Sequence, residues 1–594
     1  MLTKFTTFSL LLILTIFSAG TSFSQDRKVV KNTVLDGSEI GTRNLNKSVK
    51  VNNTDNNLQP MTTAGGLQVT YSTFGLSSYY DLQSNSTTNE VWQDPNNADY
   101  VHSAVMVLPV FGGTRVVNYV LSTDRGVTWT NFGSIDVAAS GFPSIDGLSD
   151  GSAIVTMHTS AGGVTTRSQV FTDLGPGFGS WSRFDPGASG ANSLIWGRIV
   201  ATQSISNTIK WVITSSQNAT DGEVATITQS DLAPPGTFST WNPYLSDNAE
   251  QYCLARGEDG RIGNAFISQG AVNLGDVEYR ESMDGGLTWS TPIKIYDANP
   301  AVDTLGAFRG LSMVYLGNTP CVTFEVDYIT ETGFFPTLPS SIYCWNPTVN
   351  SGIPVVVANE NNVTFYPNNG VENGVMTPIC RPAIGKVNGS SNNNILFIAM
   401  NVATAEIAAD SNTYYAIYFS TSYDNGATWT TPERITPASP LMDYRYVSIS
   451  RTNSVVGDGC EVQLVVETKN YAGAFAPNEP PGPADFTSMK VLVPLTGINE
   501  ISSTVPTDYS LQQNYPNPFN PSTSIRFDIQ KASNVSLEVY NIKGQKVATL
   551  INNEFVSPGT KEVSFNGSNL SSGIYYYTLS TGNFTDTKKM MLIK

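Results

Sequence analysis

The pattern Ser-x-Asp-x-Gly-x-Thr-Trp occurs three times, as STDRGVTW at 122–129, SMDGGLTW at 282–289 and SYDNGATW at 422–429. Each copy is a turn by composition. The Asp carboxylate can accept N–H groups of its own loop, Gly tolerates a left-handed backbone angle, and Trp offers a large apolar plate to a neighbour. Looser versions end at Trp181 (FTDLGPGFGSW) and Trp241 (QSDLAPPGTFSTW). A turn repeated over such distances means that one small unit is built many times, and this constrains the fold more than any local preference does.

Between the turns lie short runs such as LQVTYSTF, SAIVTM, ILFIAM and YYAIYFSTS, bounded by Gly, Asn, Asp and Pro, which are strand signals with no amphipathic helix among them. First strands begin at Asn89, Pro143, Trp196, Leu254, Arg309, Arg381 and Arg445, roughly 50 to 70 residues apart. Each is followed by an apolar second strand (SAVMVLP, SAIVTMH, KWVITS) and a third that runs into the repeated turn. Four strands in a unit of this length are the signature of a propeller blade. The starts predict seven blades, with six as the alternative. After SMKVLVPL at 488–495 the last unit has no fourth strand of its own. The early segment 66–74, GLQVTYSTF, is the candidate to complete it and close the ring, removing exposed sheet edges.

The three turns resemble the Asp-box, or BNR repeat, which in that family caps the hairpin between third and fourth strands of a blade. The resemblance assigns Ser122, Asp124, Gly126, Trp129, Ser282, Asp284, Gly286, Trp289, Ser422, Asp424, Gly426 and Trp429 to structure. The C-terminal piece, with SIRFDI, VSLEVYN, KEVSFN, IYYYTLS and KKMMLIK separated by turn residues, is predicted to form a small Ig-like β-sandwich. NYPNPFNPST at 514–523, VYNIKGQKV at 539–547, LSSGIYYYTL at 570–579 and the final KKMMLIK closely resemble the C-terminal sorting domain of the type IX secretion system. That resemblance implies Sec export, then passage across an outer membrane with that machinery as partner, and release or surface attachment.

The start of the chain agrees with export. Lys4, an apolar core at 8–17 and small residues at 22 and 24 read as a signal peptide over 1–24, the apolar run being shorter than the ~20 residues a spanning helix needs. Residues 25–64 carry no sustained period and are expected to form a flexible leader, 65–495 the propeller, 496–507 a linker and 508–594 the sorting domain. No transmembrane span is expected in the mature chain. With a net charge of −16 and no basic run, nucleic acid is excluded as a partner, leaving a glycan or a surface protein. Five scattered cysteines have no CxxC spacing; Cys321 with Cys344 is a candidate bridge, and buried free thiols are the other reading.

Arg198, Arg256, Arg309, Arg381 and Arg445 fall in or beside first strands, where residues recurring once per blade line a propeller's central channel. Converging on one mouth, they would hold a carboxylate or sulfate through bidentate hydrogen bonds; bridging adjacent blades through carbonyls and acidic neighbours is the structural alternative. Asp-boxes with clustered arginines also resemble sialidases, in which three Arg hold the substrate carboxylate, a Tyr with a Glu serves as nucleophile and an Asp as acid/base. This chain departs from that pattern. It has no Arg-Ile-Pro ahead of the first Asp-box, its count is seven where sialidases have six, and no motif assigns the Tyr or the Glu, although Tyr444 and Tyr446 flank Arg445. Glu258 and Asp259, beside Arg256, join Asp94 and Asp146 as candidates for a glycosidase carboxylate pair. His102 and His158 lie in apolar second strands and read as buried imidazoles rather than metal ligands, so no metal and no cofactor is expected. The chain is expected to be an extracellular binding or scaffold module, with a sialidase-like or other glycoside hydrolase as the alternative.

Overall fold

A computed structural model describes residues 30–31 and 58–594, with breaks at 81–86, 191–192, 203–210, 217–221, 227–235, 245–250, 269–273, 299–304, 308, 331–332, 369–375, 390–393, 458, 475–479, 496–497, 503, 557 and 568–569. Among the described residues the one helical element is a 3-10 turn at Asn350–Gly352, and no helix is long and apolar enough to cross a membrane. The predicted signal peptide lies outside them.

Seven groups of antiparallel strands follow one another along the chain: the first four are separate four-stranded sheets, the fifth belongs to a seven-stranded sheet, and the sixth and seventh are joined in a ten-stranded one by the parallel pairing of Lys386 and Val387 with Thr452 and Asn453. Their first strands are Val91–Gln93, Ser140–Gly147, Ile195–Ala201, Tyr252–Arg256, Ser312–Leu316, Ile379–Val387 and Asp443–Ile449. Each abuts the first strand of the next sheet, and the seventh reaches back to the first, so the inner strands close around an axis and the fold is a β-propeller. Second strands such as Val101–Val107 are buried on both faces, whereas the outermost strand of the same sheet, Thr130–Ser134, is largely exposed. Sheets stacked face to face around an axis bury both faces of their inner strands, which is why those strands read as continuous apolar runs.

The seventh sheet takes its fourth strand from the start of the chain. Gln68–Ser78 pairs antiparallel with Ala484–Pro494, Val69 opposite Val491 and Thr73 opposite Thr487, as the expected closure requires. Val69 and Phe74 are buried, each contributing roughly 1.5–3 kcal/mol of apolar burial to the joint. Two expectations are corrected beside it. Within the leader, Met61–Thr62 folds back on Gln68 and Val69, with Leu58 and Met61 packed on the adjoining core, and Val30–Lys31 pairs with Gly333–Phe334. Alternation was too short there to register as a strand. The segment expected as a linker contains Ile498–Ser502, an edge strand of the C-terminal sandwich paired with Gly559–Asn566, with Ile498 buried in that core. The sandwich has two four-stranded sheets, one built on Ser522–Ile529 and Gly559–Asn566 and the other on Ser533–Asn541 and Gly573–Thr581.

The three repeated turns connect third to fourth strands in the first, fourth and sixth sheets and are alike in their bonding. In the first, the Ser122 hydroxyl donates to Asp124 Oδ1 at 2.7 Å and accepts from Gly126 N at 2.7 Å, while Asp124 accepts from Thr128 N at 2.8 Å and Thr128 Oγ1 at 2.6 Å. Asp284 and Asp424 repeat this with Thr288 and Thr428. Gly126 sits at φ 78°, where a side chain would be strained. Each Trp packs against the preceding sheet: Trp129 lies 4.5 Å from the Phe74 ring of the seventh, Trp289 joins Val212 and Tyr244 of the third, and Trp429 joins Cys344 and Ala358 of the fifth.

Burial alone would raise the Asp124 carboxyl, but hydrogen bonds from Thr128, Ser122 and Val127 outweigh it and hold the group below its ordinary value. A depressed folded value stabilises the turn above the unfolded value and loses that contribution as pH falls through the folded one. Asp124→Asn is therefore expected to lower the melting temperature at pH 7, with the gap from wild type narrowing below about pH 4. Thermal melts across pH 3–7 check this, and a constant gap would refute it.

Candidate functional site

At the ends of the inner strands the seven sheets line one cavity of about 140 Å³. The first sheet contributes Trp92 and Asn96, the second Asp146, the third Val200, the fourth Arg256, the fifth Tyr315, the sixth Lys386 and the seventh Arg451. Gly147 belongs to the lining because a Cβ there would lie 2.0 Å from the Trp92 ring. Two guanidiniums are held by the third sheet's inner strand. Arg256 Nη1 donates to Ala201 O at 3.0 Å, and Arg451 Nη1 lies 3.5 Å from Ile199 O and 3.4 Å from Asp146 Oδ2. Asp146 Oδ2 also accepts from Ala201 N at 2.9 Å. Burial holds the Lys386 ammonium below the usual lysine range; Glu258 opposes this and Arg256 adds to it.

Below this mouth the channel is spanned. The Thr87 hydroxyl donates to Pro382 O of the sixth sheet at 2.8 Å, and the Thr87 carbonyl accepts from Arg198 Nη2 of the third at 3.5 Å. Between span and mouth lies a second cavity of about 20 Å³, lined by Arg198 and sharing Arg451 with the first, room for water alone.

The five arginines predicted to converge are divided between the two ends of the channel. Arg256 ends its strand at the mouth, and Arg198 is a strut within the channel. Arg309, Arg381 and Arg445 sit at or before the starts of theirs, fully or almost fully buried. Arg445 Nε meets Asp443 Oδ2 at 2.6 Å and its Nη2 donates to Thr413 O at 2.7 Å; directly opposite on the neighbouring strand, Lys469 and Glu467 pair at 2.9 Å. Arg381 and Arg309 face the buried carboxylate of Glu325, whose Oε2 accepts from Arg381 N at 3.0 Å. Burial raises Glu325, and burial with the Glu325 charge raises Asp327 well above its ordinary value. The reason for the division is distance. Five residues of strand separate Arg381 from Lys386, about 16 Å at 3.3 Å per residue, so residues at strand starts and ends serve opposite faces.

At these starts the backbone is also distorted. Phe142, Trp196, Arg381 and Tyr446 occupy positive φ (52°, 58°, 50° and 55°) beside register shifts at equivalent places in the second, third, sixth and seventh sheets. Such angles cost of order 1–3 kcal/mol each and persist because all four side chains are buried. The Phe142 and Trp196 rings lie 6.4 Å apart, and Arg381 stacks 5.5 Å over Tyr446.

The carboxylates considered for glycoside hydrolysis do not gather at the mouth. Asp146 is the one carboxylate among its described lining residues. Asp94 is buried in a turn where it accepts from Asn96 N at 2.8 Å, Glu258 donates its own N–H to Gly317 O, and Asp259 is held by Arg261 at 2.8 Å. His102 Nδ1 meets Tyr119 Oη at 2.7 Å, and burial lowers its value to about 3; His158 Nε2 accepts from Arg115 at 3.0 Å. Among the described residues no three metal-ligating side chains cluster. All five cysteines are free and buried, Cys321 and Cys344 included, which corrects the candidate bridge: both lie in one apolar cluster. Lys386 and Arg451 escaped the sequence reading. Both stand at the ends of their inner strands, as Arg256 does, and position along the strand was the signal that would have found them.

Residues 513–594 match the family model for the secretion system C-terminal sorting domain. This domain directs export through the type IX system to the cell surface or beyond, and its machinery handles the chain. Among curated proteins none matches in sequence. Solved structures similar to the chain include a fungal alcohol oxidase in complex with copper (11% identity, 86% of this chain and 98% of that one covered, TM-score 0.39). An α-L-arabinofuranosidase from Podospora anserina in complex with cellotriose also aligns (8%, 60% and 92%, 0.30), as does a GH43 protein from Bacillus licheniformis (8%, 88% and 100%, 0.26).

Removing Arg445 should expose how much the buried pair matters. Arg445→Met leaves Asp443 buried without its closest partner and is expected to cost about 3–5 kcal/mol, read from the denaturant midpoint. A loss below about 1 kcal/mol, the range of an exposed pair, would overturn this assignment.

Proposed function

We propose that the seven sheets are the blades of a seven-bladed propeller, that its repeated turns are Asp-boxes, and that the exported chain is an extracellular binding module whose ligand sits at the mouth lined by Arg256, Lys386 and Arg451. One observation carries this reading: every sheet contributes to a single cavity at one end of a channel that Thr87 and Arg198 span farther in. Propellers place ligand sites where the ends of all blades converge. Residues 1–24 are then the signal peptide, and 513–594 address the chain to the surface or the medium. The hydrolase alternative needs two carboxylates flanking a bond, and the described lining supplies Asp146 alone. A sialidase-like clamp would need free arginines, whereas Arg309, Arg381 and Arg445 face buried acidic groups.

Two experiments test the reading. Because Ile498–Ser502 belongs to the sandwich, truncation after Leu495 is expected to leave a folded propeller in the periplasm; its appearance outside the cell would sink the sorting assignment. Glycan and surface-protein arrays probed with the full chain and with Asn96→Trp, which fills the mouth without changing charge, locate the ligand. Binding lost in the variant places it at the mouth, and binding retained places it elsewhere.

A further inference from the structure

The lining of the mouth is opposite in charge to the chain as a whole. The chain carries −16 overall, yet the lining of this cavity holds three cations, Arg256, Lys386 and Arg451, against the single carboxylate of Asp146. A fourth cation, Arg198, lies directly beneath in the cavity that shares Arg451. Like charges gathered in a half-enclosed space repel one another and lose hydration, a cost that persists unless an anion relieves it. Lys386 is lowered chiefly by its own burial, with Arg256 adding a smaller part against Glu258.

The arrangement is anchored rather than fluid. Ala201 O fixes Arg256, and Ile199 O with Asp146 fixes Arg451, so two planar forks are held from one strand with one nitrogen of each committed. A guanidinium carries five N–H donors, and the remaining donors suit the paired oxygens of a carboxylate or sulfate. Asp146 carries one negative charge against three cations, and Glu258, which acts on Lys386 from outside the lining, leaves the mouth positive by one. At about 140 Å³ the cavity is smaller than the roughly 300–1,000 Å³ of a ligand pocket that encloses its occupant. It has room for one charged group, with the rest of the ligand outside.

We infer that the mouth is an oxyanion site, in which one carboxylate or sulfate is seated between Arg256, Lys386 and Arg451. This rests on the reading that the mouth is where the protein binds its ligand, and it names the chemistry the ligand must carry. The group can belong to a free inorganic ion or to an acidic sugar, and the probes separate the two.

The full chain is titrated calorimetrically with inorganic sulfate, with glucuronate and with glucose, at fixed ionic strength in chloride. Glucuronate binding with glucose silent identifies an acidic sugar; sulfate alone identifies an inorganic anion or a sulfate ester. Arg256→Gln and Lys386→Met are each expected to weaken the anion about ten-fold or more, the loss of one charge-assisted contact. Asp146→Asn keeps the size of the side chain and an acceptor for Ala201 N, leaves Ile199 O holding Arg451 and removes the opposing charge, so it should tighten binding several-fold. Because that variant predicts a gain, it keeps the assignment testable should the others fail to fold. The inference is overturned if neither anion binds, if glucose binds as well as glucuronate, or if Asp146→Asn weakens the anion. A neutral glycan blocked by Asn96→Trp and indifferent to Lys386→Met would leave the mouth as the binding site and remove only its anionic character.

Discussion

A ring of sheets has no natural end, and the chain that builds it has two. The pairing of Gln68–Ser78 with Ala484–Pro494 resolves this. Without it the seventh sheet would expose a long apolar edge at Ala484–Pro494, and the first and seventh sheets would be joined by face packing alone. With it, the strand that completes the last sheet precedes the first, and the chain cannot open there without breaking a ladder. Trp129 adds to the joint, because its ring lies on Phe74 of the closing strand and its Nε1 donates to Ser72 Oγ at 3.0 Å. The first repeated turn is thus bolted to the closure.

From that closure follows the asymmetry of the channel. Inner strands held in a ring point the same way, so their starts lie at one end and their ends at the other. At the starts the strands bulge, Phe142, Trp196 and Tyr446 pack in one buried cluster, and buried charges neutralise one another in pairs such as Asp443 with Arg445 and Glu467 with Lys469. At the ends, cations outnumber carboxylates in the lining of a cavity. Both ends hold arginines, yet one end packs as core and the other lines a cavity. What separates them is burial: Arg309, Arg381 and Arg445 lie enclosed in the core with Glu325 and Asp443 near them, whereas Arg256 and Arg451 border a cavity.

Much of this architecture was legible in the chain. The Ser-x-Asp-x-Gly-x-Thr-Trp turns, the spacing of the apolar runs and the missing last strand are local signals, and local hydrogen bonds and alternation make them reliable. The short strands Met61–Thr62 and Ile498–Ser502 were not visible, since two to five residues carry too little pattern and their burial comes from partners far along the chain. The candidate site was half legible. Arg256 was found because it sits in a first strand; Lys386 and Arg451 were passed over because their role depends on where a strand stops, which residue types do not reveal.

The amino-acid sequence by itself determined the repeating unit, the all-β class, the turn chemistry and the export signal at the C-terminus, because each rests on contacts within a few tens of residues. Only the tertiary structure decided which cations meet. Arg256, Lys386 and Arg451 come from three sheets and Asp146 from a fourth, and their shared position depends on the curvature of the closed ring. That curvature is a property of the whole ring of packed sheets, and no single strand contains it.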